Sequence, residues 1–165
     1  MDVALRPLED ADLPAIRAIL EEPSVARWWG PVKDDLREDF EDPQAVLVGG
    51  ELAGVLDIWE EQEPSYRHAG LDIVLTERFQ DQGVGRAALR LAVDILITER
   101  GHHRITIDPA VANERAIACY RAVGFEPVGV MRAYERAADG TWHDNLLLEL
   151  VSRPDVLDLG DDAGG

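Results

Sequence analysis

The sequence predicts an α/β fold in a single domain, with a mixed sheet of about seven strands and about four helices. A chain of 165 residues has the length at which one domain usually forms and can bury a hydrophobic core. Strand and helix patterns follow the order β, α, α, β, β, β, α, β, α, β, β, which is typical of a mixed sheet and not of a repeated strand–helix–strand unit. Glycine-containing turns between two pairs of strand patterns indicate hairpins.

The N-terminal half begins with a strand and two helices. Leu13, Ile16 and Leu20 recur at helical spacing after an aspartate that can cap the helix, so this apolar face is predicted to pack on the sheet. Gly49-Gly50 supplies the positive φ angles of a tight turn between two apolar runs. The predicted elements are a strand over 3–8, a helix from Asp10 or Asp12 to Leu20, a short helix from Ser24 through Trp28 and Trp29 to Gly30-Pro31, a second short helix within 34–42, and strands over 46–48, 52–59 and 71–75.

The C-terminal half carries two further helices and three strands. Helical patterns over 84–97 and 113–123 end at Gly101 and Gly124, because glycine commonly stands just beyond a helix C-terminus. The predicted strands cover 104–107, 128–134 and 142–150, and the last two are joined by a turn at Asp139-Gly140. We expect one domain over 1–151, followed by an acidic, glycine-containing tail over 152–165.

The chain is strongly acidic, with a formal net charge of −17. A binder of nucleic acid or of anionic membranes needs a basic surface to neutralise phosphate, so both classes are disfavoured and a cationic partner is favoured. The charge is unevenly distributed, because 1–75 carry −12 and 122–165 carry −6, whereas 76–121 carry +1. Most of these charged side chains are expected to lie on the solvated surface. The near-neutral segment 76–121 nevertheless differs clearly in charge from the two acidic segments that flank it.

Cysteine and histidine usage gives no support for a metal site. The single Cys119 rules out an intrachain disulfide and a cysteine-based zinc cluster, and nothing requires an oxidising compartment. The four histidines show no metal-ligand spacing. We find no apolar run of about 18 residues and no leader pattern, so we expect a soluble, cytoplasmic protein. Monomer and homodimer both stay open.

The first motif that could carry chemistry is Gln80-Asp81-Gln82-Gly83-Val84-Gly85-Arg86, between a strand and a long helix. Glycines let the backbone approach a ligand closely, and free N–H groups at a helix N-terminus bind pyrophosphate. The motif lacks the Gly-Lys-Ser/Thr of a Walker loop and the third glycine of a dinucleotide fingerprint. Taken alone, it is equally consistent with an ordinary helix start.

Two further signals come from a helix and from a strand. Tyr120 follows Asn113 by two helical turns, so both can face one cleft, although a capping asparagine and a packed tyrosine would give the same pattern. Asp72 interrupts an apolar strand. Burying an unpaired carboxylate is costly, so Asp72 is either a hydrogen-bonded structural residue or a functional group such as a general base.

Together these motifs resemble the GNAT superfamily of N-acetyltransferases. The family pattern Gln/Arg-x-x-Gly-x-Gly/Ala matches 80–85, and the family's Asn-to-Tyr helix matches 113–120 with the closing Gly124-Phe125, within a resemblance that covers roughly 3–150. Within the superfamily, the chain is most similar to the aminoglycoside 6′-N-acetyltransferases. The matching features are Trp28-Trp29-Gly30, Trp59-Glu60-Glu61, Gly70-Leu71-Asp72 and Asp108-Pro109 followed by 113–117.

The resemblance implies a twisted sheet that splays after strand 71–75 and admits acetyl-CoA into the opening, without a metal. It implies that the backbone of 73–75 pairs with the pantetheine, that an amide near Val74 polarises the thioester carbonyl, and that amides of 82–87 hold the pyrophosphate. Asn113 would hold the pantetheine arm. The implied cofactor-binding residues are Ile73, Val74, Leu75, Gln80, Gln82, Gly83, Val84, Gly85, Arg86, Ala87, Asn113 and Ala116.

The resemblance also implies the catalytic pair. Asp72, directly or through water, would accept the proton of the acceptor ammonium, and Tyr120 would protonate the departing CoA thiolate. An amine attacks a thioester only when it is neutral, so a nearby carboxylate suits the chemistry, and binding both substrates in one cleft orients them. Acids can pair with ammonium groups and tryptophans offer stacking faces. The predicted acceptor-binding residues are Trp28, Trp29, Asp57, Trp59, Glu60, Asp108 and Asp144.

The leading hypothesis is an acetyl-CoA-dependent N-acetyltransferase that acts by direct attack on a cationic small-molecule amine, with an aminoglycoside as first choice and antibiotic resistance as the implied role. Asp144-Asn145 also resembles acetyltransferases of other amines, so a peptide or protein N-terminus, a polyamine or another small amine is the alternative. A catalytically silent acyl-CoA-binding module is the third hypothesis. Asp72 and Tyr120 weigh against it, since a pure binder needs neither.

Overall fold

One seven-stranded mixed sheet forms the centre of the protein, in the strand order β1-β2-β3-β4-β5-β7-β6. The structure is a computed structural model that describes residues 1–153, so most of the predicted acidic tail lies outside the described residues. The strands are β1 (Val3–Pro7), β2 (Asp42–Val48), β3 (Glu51–Glu61), β4 (His68–Leu75), β5 (Arg104–Ile107), β6 (Glu126–Arg136) and β7 (Trp142–Val151). The helices are α1 (Leu13–Glu21), α2 (Pro23–Trp29), α3 (Val84–Asp94) and α4 (Glu114–Val123).

The predicted fold class is confirmed, with differences at element ends. The glycine turns form as expected, with φ angles of 57° at Gly49 and 82° at Gly50. The predicted second short helix within 34–42 is reduced to one 3₁₀ turn over Leu36–Asp39, because Asp42 already pairs with Ile58 in the β2–β3 ladder. The helix predicted over 84–97 ends its α-helical part at Asp94 and continues as a π-helical turn over Ile95–Glu99.

Helices cover both faces of the sheet. Val55 and Leu56 alternate along β3, and Leu56 belongs to the cluster under α3 and α4 whereas Val55 belongs to the cluster under α1 and α2. This alternation follows from the period of two along a strand. A central strand with apolar residues on both faces is therefore buried between two layers, as its nearly continuous apolar sequence requires.

The sheet opens between β4 and β5. These parallel strands pair only at Ala69 with Ile105 and at Gly70 with Thr106. Beyond these pairs β4 continues to Leu75, still paired with β3 on its other side. Within residues 1–153, the segment 71–75 therefore presents an edge that no neighbouring strand covers, and this is the splayed opening that the family resemblance implies. Within residues 1–153, every helix is too short or too polar to cross a membrane.

Candidate active site

A cavity of about 670 Å³ occupies the region where β4 and β5 separate. Its walls come from the end of α2, from β4, from the N-terminal ends of α3 and α4, and from the β6–β7 hairpin. Most of the residues that the sequence singles out meet here. The cavity is lined by the predicted residues Trp28, Trp29, Asp72, Ile73, Val74, Leu75, Gln80, Gly83, Gly85, Arg86, Asp108, Asn113, Ala116 and Tyr120.

The N-terminus of α3 offers an anion-binding site to the cavity. The first hydrogen bond within the helix runs from the Ala87 N–H to the Gly83 carbonyl at 3.0 Å, so the N–H groups of 84–86 have no partner within the helix. Gly83 adopts a left-handed conformation with φ of 81°, which a side chain would disfavour. Arg86 adds a positive charge. Three free amides, the helix dipole and one guanidinium suit a pyrophosphate.

The other predicted residues of this motif have different surroundings. Val84 is fully buried in the core, and Gln82 donates from Nε2 to the Arg78 carbonyl at 2.7 Å. Three predicted residues do not line the cavity, namely Gln82, Val84 and Ala87. Only their backbone amides can therefore donate hydrogen bonds to a ligand there. Gln80 donates from Nε2 to the Leu75 carbonyl at 2.9 Å and accepts from Arg115 at 3.2 Å. Gln80 therefore holds the end of β4 beside α4.

The helix α4 places a proton donor in the cavity. Asn113 caps it, since its Oδ1 accepts from the Ala116 N–H at 3.3 Å, and both residues also line the cavity. Tyr120 lies on the same face and is buried. Burial raises the pKa of the Tyr120 phenol well above its usual value, and the negative charge of Asp72 adds to this shift. The phenol thus stays protonated at neutral pH and can act as an acid.

Asp72 places a proton acceptor in the same cavity. Its side chain is exposed, lines the cavity and has no hydrogen bond within residues 1–153. Desolvation raises the pKa of Asp72 to about 7, and repulsion from Asp108, Glu135 and Asp57 contributes. A carboxyl with a pKa near the working pH is well matched to general-base catalysis.

Two acids predicted to bind the acceptor have structural partners instead. The Asp57 carboxylate accepts from the Glu41 N–H at 3.0 Å and the Asp42 N–H at 3.0 Å, which fixes the start of β2. Glu60 lies 2.7 Å from Arg100 and 2.6 Å from the buried His102. Neither lines the cavity.

Register explains why Glu60 and Trp59 lie away from the opening. Glu60 pairs with Ala69 and Trp59 with Gly70, and at these positions β4 is still joined to β5. Trp59 lies across Gly70, where a Cβ would come within 1.9 Å of its ring. Trp59 therefore lies where the sheet is still closed, outside the cavity lining.

Asp144 is the fourth predicted acceptor residue outside the cavity lining. Its Oδ1 accepts from the Ala133 N–H at 2.8 Å, so it binds the neighbouring strand. The sequence analysis in turn missed Asp39, Glu135 and Asn145, which do line the cavity. Asp39 was indistinguishable from the other acids of its segment. Within residues 1–153 no group of His, Cys, Asp or Glu could hold a metal ion.

Comparison with known proteins assigns the family. The model of the acetyltransferase (GNAT) family matches residues 4–125. The chain belongs to this family. It is 28% identical to the aminoglycoside N(6′)-acetyltransferase type 1 of Klebsiella pneumoniae, over 78% of this chain and 76% of that protein. It is also 28% identical to the spermidine N(1)-acetyltransferase of Escherichia coli K12, over 77% of this chain and 74% of that protein.

Solved structures of GNAT enzymes share the whole fold. A ribosomal-protein-S5-alanine acetyltransferase from Vibrio fischeri matches with a TM-score of 0.81 at 16% identity, over 95% of this chain and 97% of that one. A spermidine N-acetyltransferase from Vibrio cholerae in complex with CoA and spermine matches with a TM-score of 0.79 at 22% identity, over 92% and 96%. At these identities the likeness concerns the fold. The family assignment makes this GNAT chain an acetyltransferase.

Proposed function

We propose that this GNAT protein transfers the acetyl group of acetyl-CoA to a primary amine of a cationic acceptor, with the 6′-amine of an aminoglycoside as the first candidate. The observation that carries the proposal is the division of charge within one cavity. The free amides of α3, Arg86 and the ion pair of Arg115 with Asp81 (2.8 Å) lie at one part of its wall, and the carboxylates of Asp39, Asp72, Asp108 and Glu135 line other parts. Such a cavity suits an anionic cofactor and a cationic acceptor together.

Acetyl-CoA fits the first part of this cavity. Its pyrophosphate would accept from the amides of 84–86, as anions do at helix N-termini. Its pantetheine would lie along the uncovered edge of 71–75, where the backbone lacks a neighbouring strand. Asn113 and Ala116 line the wall on the α4 side. Several structural neighbours, all less than 25% identical, contain acetyl-CoA or CoA.

The reaction uses Asp72 and Tyr120 as base and acid. Asp72 takes one proton from the acceptor ammonium, and the neutral nitrogen attacks the thioester carbonyl carbon. The C–N bond forms and the C–S bond breaks, with the electron pair of that bond leaving on sulfur. Tyr120 gives its proton to the thiolate, and the second proton lost by nitrogen restores the phenol. One proton is released per turnover, and no covalent enzyme intermediate is needed.

The acceptor end of the cavity favours a ring-bearing polyamine. Trp28 and Trp29 line it, and indole faces can stack on a sugar ring or bind an ammonium group. Asp72 and Asp108 line the same cavity and supply negative charge. The 28% identity to an aminoglycoside acetyltransferase over 78% of the chain supports the same choice.

A linear polyamine is the second candidate. The equal identity to a spermidine acetyltransferase and the same carboxylates support it, whereas the two tryptophans favour the aminoglycoside. A peptide N-terminus carries a single ammonium group and would pair with fewer of the four carboxylates named above. It is therefore the third candidate.

The test is release of CoA thiol from acetyl-CoA in the presence of a kanamycin-type aminoglycoside, spermidine and an alanyl peptide, each over a range of concentrations. We expect the highest kcat/KM with the aminoglycoside. Preference for spermidine would assign the second candidate, and no turnover with any amine, together with acetyl-CoA binding, would assign a silent binding module.

A further inference from the structure

The carboxylate of Glu22 joins two walls of the cavity, although Glu22 itself lies outside the cavity lining. Glu22 is the single residue between α1 and α2. Its Oε1 accepts from the Thr76 hydroxyl at 2.6 Å, and its Oε2 accepts from the Glu77 N–H at 2.8 Å. Because Thr76 directly follows β4, these two hydrogen bonds connect the start of α2 with the end of the uncovered strand edge. We call this pair of hydrogen bonds the Glu22 clasp.

The backbone of Glu22 connects the two helices. Its N–H donates to the Ile19 carbonyl at 3.1 Å, at the end of α1. Its carbonyl accepts from the N–H groups of Val25 and Ala26 at 2.9 Å and 2.8 Å, at the start of α2. One residue therefore makes hydrogen bonds with α1, with α2 and with the turn after β4. A shift of α2 relative to β4 must distort the Glu22 clasp.

The helix α2 has few other interactions that fix its position. It has seven residues, and a helix of this length is marginal without tertiary support. Val25 is its one buried residue and belongs to the same apolar cluster as Val74 of β4. Trp29 packs on Phe40, with the ring centroids 5.6 Å apart. Such apolar contacts are non-directional, whereas hydrogen bonds require a defined geometry, so the Glu22 clasp adds the directional restraint.

The partners of Glu22 are anchored to the sheet without it. The Thr76 N–H donates to the Ala53 carbonyl at 2.9 Å and extends the pairing of β4 with β3. The Thr76 carbonyl accepts from the Phe79 N–H at 2.9 Å, which closes a 3₁₀ turn. The Glu77 N–H is the first amide of that turn and has no partner within it, so Glu22 supplies its acceptor. The sheet therefore holds one end of the Glu22 clasp, and α2 is the element that the clasp positions.

The Glu22 clasp consists of hydrogen bonds and not of ion pairs. Among the ion pairs of residues 1–153, none includes Glu22. Arg78, the residue after Glu77, pairs with Glu51 instead. A neutral amide can replace the carboxylate, because it can donate to the Thr76 hydroxyl oxygen and accept from the Glu77 N–H. Glu22→Gln therefore preserves the bridge, and Glu22→Ala removes it.

We propose that Glu22 is a positioning residue, which holds the α2 wall of the cavity at a fixed place relative to β4. This inference rests on the proposed function, in which Trp28 and Trp29 of that wall bind the acceptor, and it names what holds them there. Contacts that are equally strong in the ground state and in the transition state affect KM and not kcat. Loss of the Glu22 clasp therefore weakens acceptor binding and leaves the chemical step at Asp72 and Tyr120 unchanged.

The experiment is steady-state kinetics with whichever of kanamycin and spermidine gives the higher kcat/KM. The variants are Glu22→Ala, Glu22→Gln, Thr76→Val and the double variant Glu22→Ala/Thr76→Val. Glu21→Ala is the matched control, since Glu21 is the exposed glutamate next to Glu22. We expect Glu22→Ala to raise the acceptor KM by roughly three- to tenfold, with kcat and the acetyl-CoA KM within about twofold of wild type.

Rescue and coupling distinguish positioning from other roles. Glu22→Gln should restore the acceptor KM, and Thr76→Val should raise it by less than Glu22→Ala. Adding Thr76→Val to Glu22→Ala should have little further effect, because both changes remove one shared hydrogen bond. Equal losses in Glu22→Gln and Glu22→Ala would make the charge of Glu22 the important property and overturn the positioning role. An unchanged acceptor KM in folded Glu22→Ala protein would overturn it too.

Two measurements do not depend on turnover. Hydrogen–deuterium exchange should be faster in segment 22–30 of Glu22→Ala and unchanged in α3, because local opening of α2 becomes easier. Calorimetric titration with kanamycin and spermidine reports acceptor affinity. Thermal melting identifies variants that do not fold, and Thr76→Val, which loses one bond of the two, decides the outcome where Glu22→Ala does not fold.

These measurements separate the inference from the proposed function. Acetylation of an amine with an acceptor KM that is independent of Glu22 and Thr76 overturns the inference alone. Amine binding that weakens in Glu22→Ala, without acetylation by the wild-type protein, overturns the proposed function alone. Absence of both acetylation and amine binding overturns both.

Discussion

Asp57 and Asp72 stand directly opposite each other in the β3–β4 ladder, yet only Asp72 opens into the cavity. Residues that pair across antiparallel strands project to the same face. Asp57 turns to the backbone of β2, whereas Asp72 has no hydrogen bond within residues 1–153. The two aspartates have similar neighbours in the sequence, but their carboxylates therefore have different roles. Asp57 secures a strand, and Asp72 is available for chemistry.

The pH dependence of the reaction should follow the ionisation of the Asp72 carboxyl group. A base must be ionised, and with a pKa of about 7 the ionised fraction of Asp72 rises between about pH 6 and about pH 8. We expect kcat to rise over this range, and Asp72→Asn to remove the rise and lower kcat by about 10²-fold or more. Asp57→Asn is the matched control and should retain the rise, moved towards lower pH because one charge that raises the pKa of Asp72 is removed. A wild-type rise that survives in Asp72→Asn would place the base elsewhere.

The role of Asp57 can be tested through stability. Asp57→Ala leaves the N–H groups of Glu41 and Asp42 without their acceptor, and an unpaired buried amide costs about 1–3 kcal/mol. Urea unfolding should show a loss of this size, while the acceptor KM, measured well below the melting temperature, should stay as in wild type. A raised KM without a loss of stability would return Asp57 to the acceptor site.

Tyr120 should affect turnover and leave cofactor binding intact. Tyr120→Phe preserves the buried ring but removes the only proton that the ring can donate. We expect kcat to fall about 10²-fold, with the acetyl-CoA KM close to wild type. Because the pKa of Tyr120 is raised well above its usual value, no loss of activity from its ionisation is expected up to about pH 9. Tyr66→Phe, at an exposed position, is the control, and equal kcat in both variants would exclude Tyr120 as the acid.

Local patterns in the sequence predict most of the fold and the part of the cavity wall formed by α3 and α4. The Gly49-Gly50 turn, the helix start at Gly83 and the spacing from Asn113 to Tyr120 depend on residues close together in the chain. Such features follow from backbone conformation and helical periodicity. The sequence was therefore sufficient to predict one wall of the cavity.

The position of the other predicted residues relative to the cavity depends on long-range strand pairing, which the sequence does not show. Glu60 and Trp59 are acidic and aromatic as expected, but the register with β4 places them where the sheet is still closed. Glu135 was missed because the β6–β7 register shifts between Met131 and Glu135, which interrupts the alternation from which a strand residue's face is inferred. Asp144 was assigned to the acceptor although it binds Ala133.

Gly54 should be required for the open edge of β4. A Cβ at this position would lie 1.9 Å from the Val74 carbonyl oxygen, and both are backbone-bound atoms that cannot rotate away. Gly54→Ala should therefore displace β4, lower the free energy of unfolding by about 1–3 kcal/mol and raise the acetyl-CoA KM. Gly129→Ala is the control, since a Cβ there meets nothing within 4 Å. A normal acetyl-CoA KM in a folded Gly54→Ala protein would contradict the assignment of this edge to the cofactor.

Salt should affect the acceptor more than the cofactor. The chain carries −17 overall, but its segment 76–121 carries +1 and supplies the α3 amides and Arg86, whereas Asp39, Asp72 and Glu135 come from the acidic flanks. Screening weakens attraction between a polycation and several open carboxylates strongly. Cofactor binding would depend more on amides and on pairing along β4, which salt screens less. From about 50 mM to about 500 mM salt, the acceptor KM should rise several-fold and the acetyl-CoA KM much less.

Sucrose at matched osmolality is the control, and equal salt slopes for the two substrates would mean that the charge partition does not guide their binding.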